Sequence, residues 1–243
     1  MLDAIGPKYA QDYVTRFGFD AERHPPYLTM ALGAGSVTAW QMARAYSVFA
    51  NGGYLVQPYF IHKIVDDRGN VLALAEPRRS GDEALRVIDP RNAFIMTTMM
   101  RDVVRAGTAA RAMQLGRQDL AGKTGTTNDN VDAWFCGFNA AEVAVAWIGF
   151  DQPKTLGTQE TGAIAALPIW MSYMARSLKG VPEVPLKPPE GVLVVRINAE
   201  TGLRESDGGV TEYFYSEFPP RQREDALAPA GTQAPREVRN QLF

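Results

Sequence analysis

The chain is poor in metal-binding and crosslinking side chains: its 243 residues include one cysteine, Cys136, and two histidines, His24 and His62. A single cysteine excludes an intramolecular disulfide and a thiolate zinc cage, since each needs at least two. The histidines stand apart, without His-Glu-x-x-His or similar ligand spacing, so no metal and no cofactor is expected. Charge of one sign is also lacking, because 25 basic side chains face 27 acidic ones for a net charge of −2. That balance leaves no electrostatic footprint for nucleic acid or for an anionic membrane surface. Long apolar runs are missing as well. The stretch from Gly162 to Met171 is interrupted by Pro168 and falls well short of the ~18 residues of a membrane helix. The opening Met1-Leu2-Asp3-Ala4 has no basic region leading into an apolar one and does not read as a signal peptide. Internal repeats are not apparent.

What is present suffices for a globular core. With 46% apolar residues, a chain of this length buries roughly 70 to 75% of the surface its unfolded form exposes. The spacing of Ala10, Tyr13, Val14 and Phe17 after Pro7 predicts a helix that Gly18 stops. Thr38 followed by Gln41 predicts a capping box at the head of a helix from Ala39 to Ala50, closed by Asn51-Gly52-Gly53. Alternating apolar residues from Tyr59 to Leu74, turning at Asp66 to Asn70, predict a β-hairpin. Asp89-Pro90 opens a third helix carrying Phe94, Ile95, Met99, Val103 and Val104, and a short fourth follows from Thr108 to Leu115.

From Leu120 the period changes to alternation. Strands are expected at Leu120 to Thr127, Ala133 to Phe138 and Val143 to Phe150, an antiparallel meander because the connections are short. Thr161 to Leu178 returns to helix. Residues 181–190 hold four prolines and read as a linker or extended wrap. Val192 to Ile197 is strand-like, and beyond Ser216 the loss of hydrophobic periodicity predicts a mobile tail. Helices, then three antiparallel strands, then a helix give an α+β fold, an antiparallel sheet with helices packed on it. A doubly wound parallel sheet would need helices between those strands, for which there is no room.

One segment carries chemistry. Gly122-Lys123-Thr124 first suggests a phosphate loop, but that motif needs a glycine where Arg117 stands, and a helix rather than a strand after it. The alternative is Lys123-Thr124-Gly125-Thr126 on an edge strand. Alternation puts Thr124 and Thr126 on one face and Lys123 on the other, while Gly125 keeps the backbone free of a Cβ. Such an edge suits a ligand that lies along it as an added strand, its carboxylate taken by the two hydroxyls. Lys123 raises the local positive potential. Against this stand ordinary roles: threonine favours strands, and an edge lysine discourages aggregation. Cys136 reads as a small buried hydrophobe, Trp134 and Trp147 as core, and Asp132 as a turn residue. Asn128, Asp129 and Asn130 form the hairpin loop, open to turn chemistry and substrate contact alike.

These blocks resemble the transpeptidase domain of class A penicillin-binding proteins. The resemblance rests on Lys123 to Asn130 with Asp132-Ala133-Trp134-Phe135 and Gly137, on Leu32 to Thr38 with Gln41-Met42-Ala43, and on Phe49 to Gly53. It implies the serine acyl-transferase fold shared with β-lactamases, and a reaction in which D-Ala-D-Ala stem peptides acylate a serine and crosslink peptidoglycan. It also implies peptidoglycan stem peptides and β-lactam antibiotics as ligands, Lys123 as catalytic, and Thr124, Gly125 and Thr126 as substrate-binding. An inner-membrane anchor, a glycosyltransferase domain and a periplasmic location are implied upstream. The family uses three motifs, and only Lys-Thr-Gly-Thr is here. Ser36, Ser47, Ser80, Ser172, Ser177, Ser206 and Ser216 have neither a lysine three places on nor an asparagine two places on. In the family both missing motifs lie before the segment matching Leu2 to Gly6, so truncation, inactivity of the chain alone and poor solubility are expected. The expected organisation is residues 1–180 as the C-terminal portion of the transpeptidase domain, 181–215 as a proline-rich linker with a strand-like extension, and 216–243 as the tail.

Overall fold

Local signals set most of the element ends. The structure, a computed structural model, describes residues 1–222. Helix α1, Leu2–Ile5, leads into α2, Pro7–Val14, with Pro7 in its first turn. A 3₁₀ turn, Thr15–Phe17, continues α2 to Gly18, whose φ of 86° is the left-handed value that favours glycine. Helix α3, Ala39–Ala50, starts on the expected capping box: the Gln41 N–H donates to Thr38 Oγ1 at 3.1 Å and the Thr38 N–H to Gln41 Oε1 at 2.9 Å. The hairpin pairs β1, Lys63–Val65, with β2, Val71–Leu74, and both strands are exposed along their length. Its turn closes on Asp66 Oδ1, which accepts from the Arg68 and Asn70 N–H groups. Helix α4, Pro90–Arg105, is capped by Asp89, and the short fourth helix is a 3₁₀ segment, Ala110–Leu115.

Three antiparallel strands follow, β3 (Ala121–Thr126), β4 (Ala133–Phe138) and β5 (Val143–Ile148), in that spatial order. Among the described residues, β3 and β5 are therefore sheet edges. One face of this sheet packs Ala133, Phe135 and Ala146 against Leu167, Trp170 and Met174 of α5, Leu167–Ser177, with Val104, Ala109 and Ala112 completing the cluster. One π-helical turn, Gly162–Ala166, opens α5. Gly137 makes room for Trp170: a Cβ there would stand 2.7 Å from the indole. The opposite face sets Ala121 and Phe138 against Met100 of α4 and Tyr46, Phe49 and Ala50 of α3. Helices thus cover both faces of an antiparallel sheet, the expected α+β arrangement.

The C-terminal region holds one strand more than expected. Strand β6, Val192–Ile197, pairs antiparallel with β7, Val210–Tyr215, and the pair docks on α4. Phe94 and Tyr213 meet edge to face at 5.0 Å, and Arg91 joins Glu217 at 2.6 Å. The proline-rich stretch is fastened at its start, because Arg117 Nη1 donates to the Val181 carbonyl at 2.7 Å. Most of the expected tail, residues 223–243, lies outside the described residues.

Candidate functional site

Strand β3 is set by what precedes it and by its one strand neighbour. Leu120, Ala121 and Gly122 are buried, and the strand then runs outward through exposed Lys123, half-buried Thr124 and Gly125, and exposed Thr126. Register with β4 places Thr124 opposite Phe135 and Thr126 opposite Ala133, so the two threonines share the α5 side of the sheet. Lys123 lies opposite Cys136 on the other side, and its Nζ donates to the Thr124 carbonyl at 3.0 Å. The four motif residues thus sit together on an open edge, as the alternation predicts.

Neither threonine hydroxyl is bare. Thr108 Oγ1 lies 2.7 Å from Thr124 Oγ1, and the Gly162 N–H donates to Thr126 Oγ1 at 3.0 Å. A Cβ on Gly162 would overlap the carbonyl oxygens of Trp134 and Gly125, so only glycine lets this backbone pass so close to the sheet. Sequence reading missed both partners, which reach β3 across 16 and 36 residues. The hairpin loop beyond is held by the Asp132 N–H donating to Thr127 Oγ1 at 2.7 Å and by left-handed Asp129 and Asn130, at φ 57° and 50°. Asn130 Nδ2 donates to the Gly157 carbonyl at 2.8 Å and ties this loop to the one before α5. The Asp132 carboxylate serves elsewhere: it accepts from Trp147 Nε1 at 2.8 Å. Trp147 is 42% exposed, which corrects its expected place in the core; the buried indole is Trp170, at 1%.

A second feature also escaped the sequence reading. Arg117 and Asp119 form a two-pronged pair ahead of β3, Nε to Oδ1 at 2.9 Å and Nη2 to Oδ2 at 2.7 Å, with Asn139 Nδ2 donating to Oδ2 at 3.0 Å. Burial acts upward on the Asp119 carboxyl, but the hydrogen bonds from Arg117 and Asn139 outweigh it and hold the group below the usual carboxylate range. The β3 start, the β4–β5 turn and residue 181 are thereby tied to one ion pair, the turn through Asp119 and residue 181 through Arg117.

Cys136 is 2% exposed, and burial pushes its thiol up to about 12. Only the thiolate reacts. The native protein is therefore expected to resist iodoacetamide at about pH 8 and to take up one equivalent per chain once denatured; labelling at equal rates in both states would show that the thiol is not enclosed. Among the described residues no helix is long and apolar enough to cross a membrane.

An antiparallel sheet with helices on both faces carries Lys-Thr-Gly-Thr along its open edge, a motif that is one of three in class A β-lactamases and penicillin-binding proteins. The family model for the penicillin binding protein transpeptidase domain matches residues 1–169. The chain is similar to penicillin-binding protein 1A of Neisseria lactamica, 51% identical over 205 residues, covering 84% of this chain and 25% of the relative. It is 39% identical to penicillin-binding protein 1A of Pseudomonas aeruginosa, over 88% of this chain and 32% of that one. The crystal structure of penicillin-binding protein 1A from Haemophilus influenzae superposes with a TM-score of 0.83 at 33% identity, covering 91% of this chain and 39% of that one. A PonA1 protein from Mycobacterium tuberculosis, solved in complex with penicillin V, superposes at 0.62 with 25% identity over 76% of this chain and 53% of that one. The chain belongs to the penicillin-binding protein transpeptidase family, with class A proteins of the 1A type among its relatives. It spans about a quarter of the length of the Neisseria relative.

Proposed function

We propose that this chain is the substrate-recognition part of a peptidoglycan D,D-transpeptidase. The observation that carries this reading is the open β3 edge, where Thr124 and Thr126 turn hydroxyls to one side and Lys123 adds positive charge. A D-Ala-D-Ala stem peptide lies along that edge as an added strand, drawing on backbone groups of β3, and Gly125 allows its close approach. Its terminal carboxylate accepts hydrogen bonds from Thr124 and Thr126. The carboxylate of a β-lactam takes the same place; the M. tuberculosis PonA1 relative was solved in complex with one such ligand, penicillin V.

The reaction this edge serves is acyl transfer. A serine oxygen attacks the penultimate D-Ala carbonyl, the terminal D-Ala leaves with the proton taken from the serine, and an amine from a neighbouring strand displaces the serine to form the crosslink; water in place of the amine gives carboxypeptidase activity. The 243 residues hold no Ser-x-x-Lys or Ser-x-Asn. The chain alone therefore binds without turnover, and catalysis belongs to a polypeptide that also carries those motifs, at the periplasmic face of the inner membrane.

Titration of the ¹⁵N-labelled chain with benzylpenicillin tests the binding role. The expected result is saturable amide shifts centred on Lys123 to Thr127. Thr124→Val combined with Thr126→Val weakens binding at least about tenfold, since each hydroxyl to carboxylate bond is charge-assisted. Equal affinity in the double variant, or shifts centred elsewhere, would refute the assignment.

A further inference from the structure

The two threonine hydroxyls on the α5 side of β3 are each contacted by a segment outside that strand. Thr108 stands at the exit of α4, where Gly107 packs so closely on Val103 that a Cβ would lie 2.8 Å from its Cα. The Thr108 hydroxyl lies 2.7 Å from that of Thr124. Gly162 stands at the entry to α5, pressed against the carbonyls of Gly125 and Trp134, and its N–H points at Thr126 Oγ1 at 3.0 Å. Both reach the strand from the α5 side.

A hydroxyl has one proton and two lone pairs. The Gly162 N–H occupies a lone pair of Thr126 and is unable to accept, so the Thr126 proton is left to be donated outward. Between Thr108 and Thr124 one hydroxyl must donate to the other. An anion at the edge accepts from Thr124 and so selects the arrangement in which Thr108 is the donor. The Gly162 contact leaves Thr126 free to donate, and the Thr108 contact leaves Thr124 free to donate once an anion is present. Two such donors favour a carboxylate, which accepts at both oxygens, over a neutral ester, whose alkylated oxygen is a poor acceptor.

We propose that Thr108 and Gly162 are positioning residues that orient the Thr124 and Thr126 hydroxyls as donors and thereby set the preference of this edge for an anionic ligand. The inference rests on the β3 edge being the ligand site, but its first test does not. In the unliganded chain, three-bond couplings from the Thr124 methyl carbon to its own nitrogen and carbonyl carbon report the χ1 rotamer. One rotamer is expected in the native chain and in Thr108→Ser, and rotamer averaging in Thr108→Val, which keeps the shape but removes the hydroxyl. Thr108→Ala gives the same readout if the valine variant does not fold. On the Gly162 side, amide exchange of the Gly162 N–H is expected to speed at least about tenfold in Thr126→Val and to stay slow in Thr126→Ser.

The second test compares benzylpenicillin with its methyl ester. Thr108→Val is expected to lower the ratio of their affinities about fivefold, the size of one lost hydrogen bond, and Thr108→Ser to restore it. A general loosening of the fold would weaken both ligands and leave the ratio unchanged. If neither ligand binds the native chain, the ligand-site reading falls while the coupling and exchange measurements still decide the positioning of the two hydroxyls. An unchanged rotamer in Thr108→Val, or an unchanged affinity ratio in a chain that binds, would overturn the inference.

Discussion

Trp170→Ala will lower the unfolding free energy by about 3 to 5 kcal/mol, the range for deleting a buried large aromatic. Trp170 is 1% exposed and sits at the centre of the cluster that joins α5 to the sheet. Its ring meets Phe135 at 4.8 Å and 69°, an edge-to-face contact, and its Nε1 donates to the Gly137 carbonyl at 3.3 Å. Alanine forfeits the transfer energy, opens a cavity that Gly137 is too small to fill, and removes the indole hydrogen bond to the Gly137 carbonyl. A domain of this kind is stable by about 5 to 15 kcal/mol, so the loss is a large share of the total. Urea unfolding followed by far-ultraviolet circular dichroism should show a lower midpoint with the slope unchanged. Trp170→Phe, which keeps much of the volume, should fall between the two. A loss below about 1 kcal/mol would mean that this cluster does not hold α5 on the sheet.

Asp119→Ala will cost about as much, roughly 3 to 5 kcal/mol, for a different reason: removing one partner leaves the Arg117 charge largely enclosed, with only the weaker pull of Glu183 to offset it. The Asp119 side chain is 4% exposed and that of Arg117 13%. The loss also frees Asn139 Nδ2 and loosens the hold on residue 181. The pair has a pH signature with a definite sign. The folded-state carboxyl is held below its ordinary value of 3.8, so its contribution is fully present above that value and is lost as pH falls below it through the folded value. Native stability should therefore drop on acidification below 3.8 more steeply than that of Asp119→Asn, which has no proton to take up. Parallel profiles for the two proteins would remove Asp119 from the acid response.

Elements with local signals were legible in the sequence. Thr38 with Gln41, Asp89 with Pro90, and Gly18 mark helix ends through contacts spanning no more than a few residues, and the structure has those ends where the residues place them. Alternation was equally informative for β3, β4 and β5, because one sheet face packs on α5 and the other on α3 and α4. Strand β7 was missed although Gly208-Gly209 precedes a run of β-branched and aromatic residues; its pairing with β6 closes across a turn whose length the sequence does not mark. The 3₁₀ form of Ala110–Leu115 and the π turn before α5 lie below the resolution of periodicity arguments.

At the site, the motif was legible and its supports were not. Lys123 to Thr126 form a contiguous word on one strand, so alternation alone assigns their faces. Thr108 and Gly162 touch that strand only once α4 and α5 are packed, and neither residue type announces a hydrogen bond to a distant threonine. The Arg117–Asp119 pair sits two residues apart in a segment without periodicity, and its burial depends on Asn139 and on the chain near Val181. Trp147 was misplaced for the complementary reason: strand position gives a face, while exposure depends on what lies over that face.

Incubation with a fluorescent penicillin tests most directly the claim that this chain carries the ligand edge without the nucleophile. Fluorescence anisotropy should rise on mixing and fall again on competition with excess benzylpenicillin, and denaturing electrophoresis of the same sample should show no fluorescent band. A band that survives denaturation would mean that some residue of this chain is acylated, and would contradict the account.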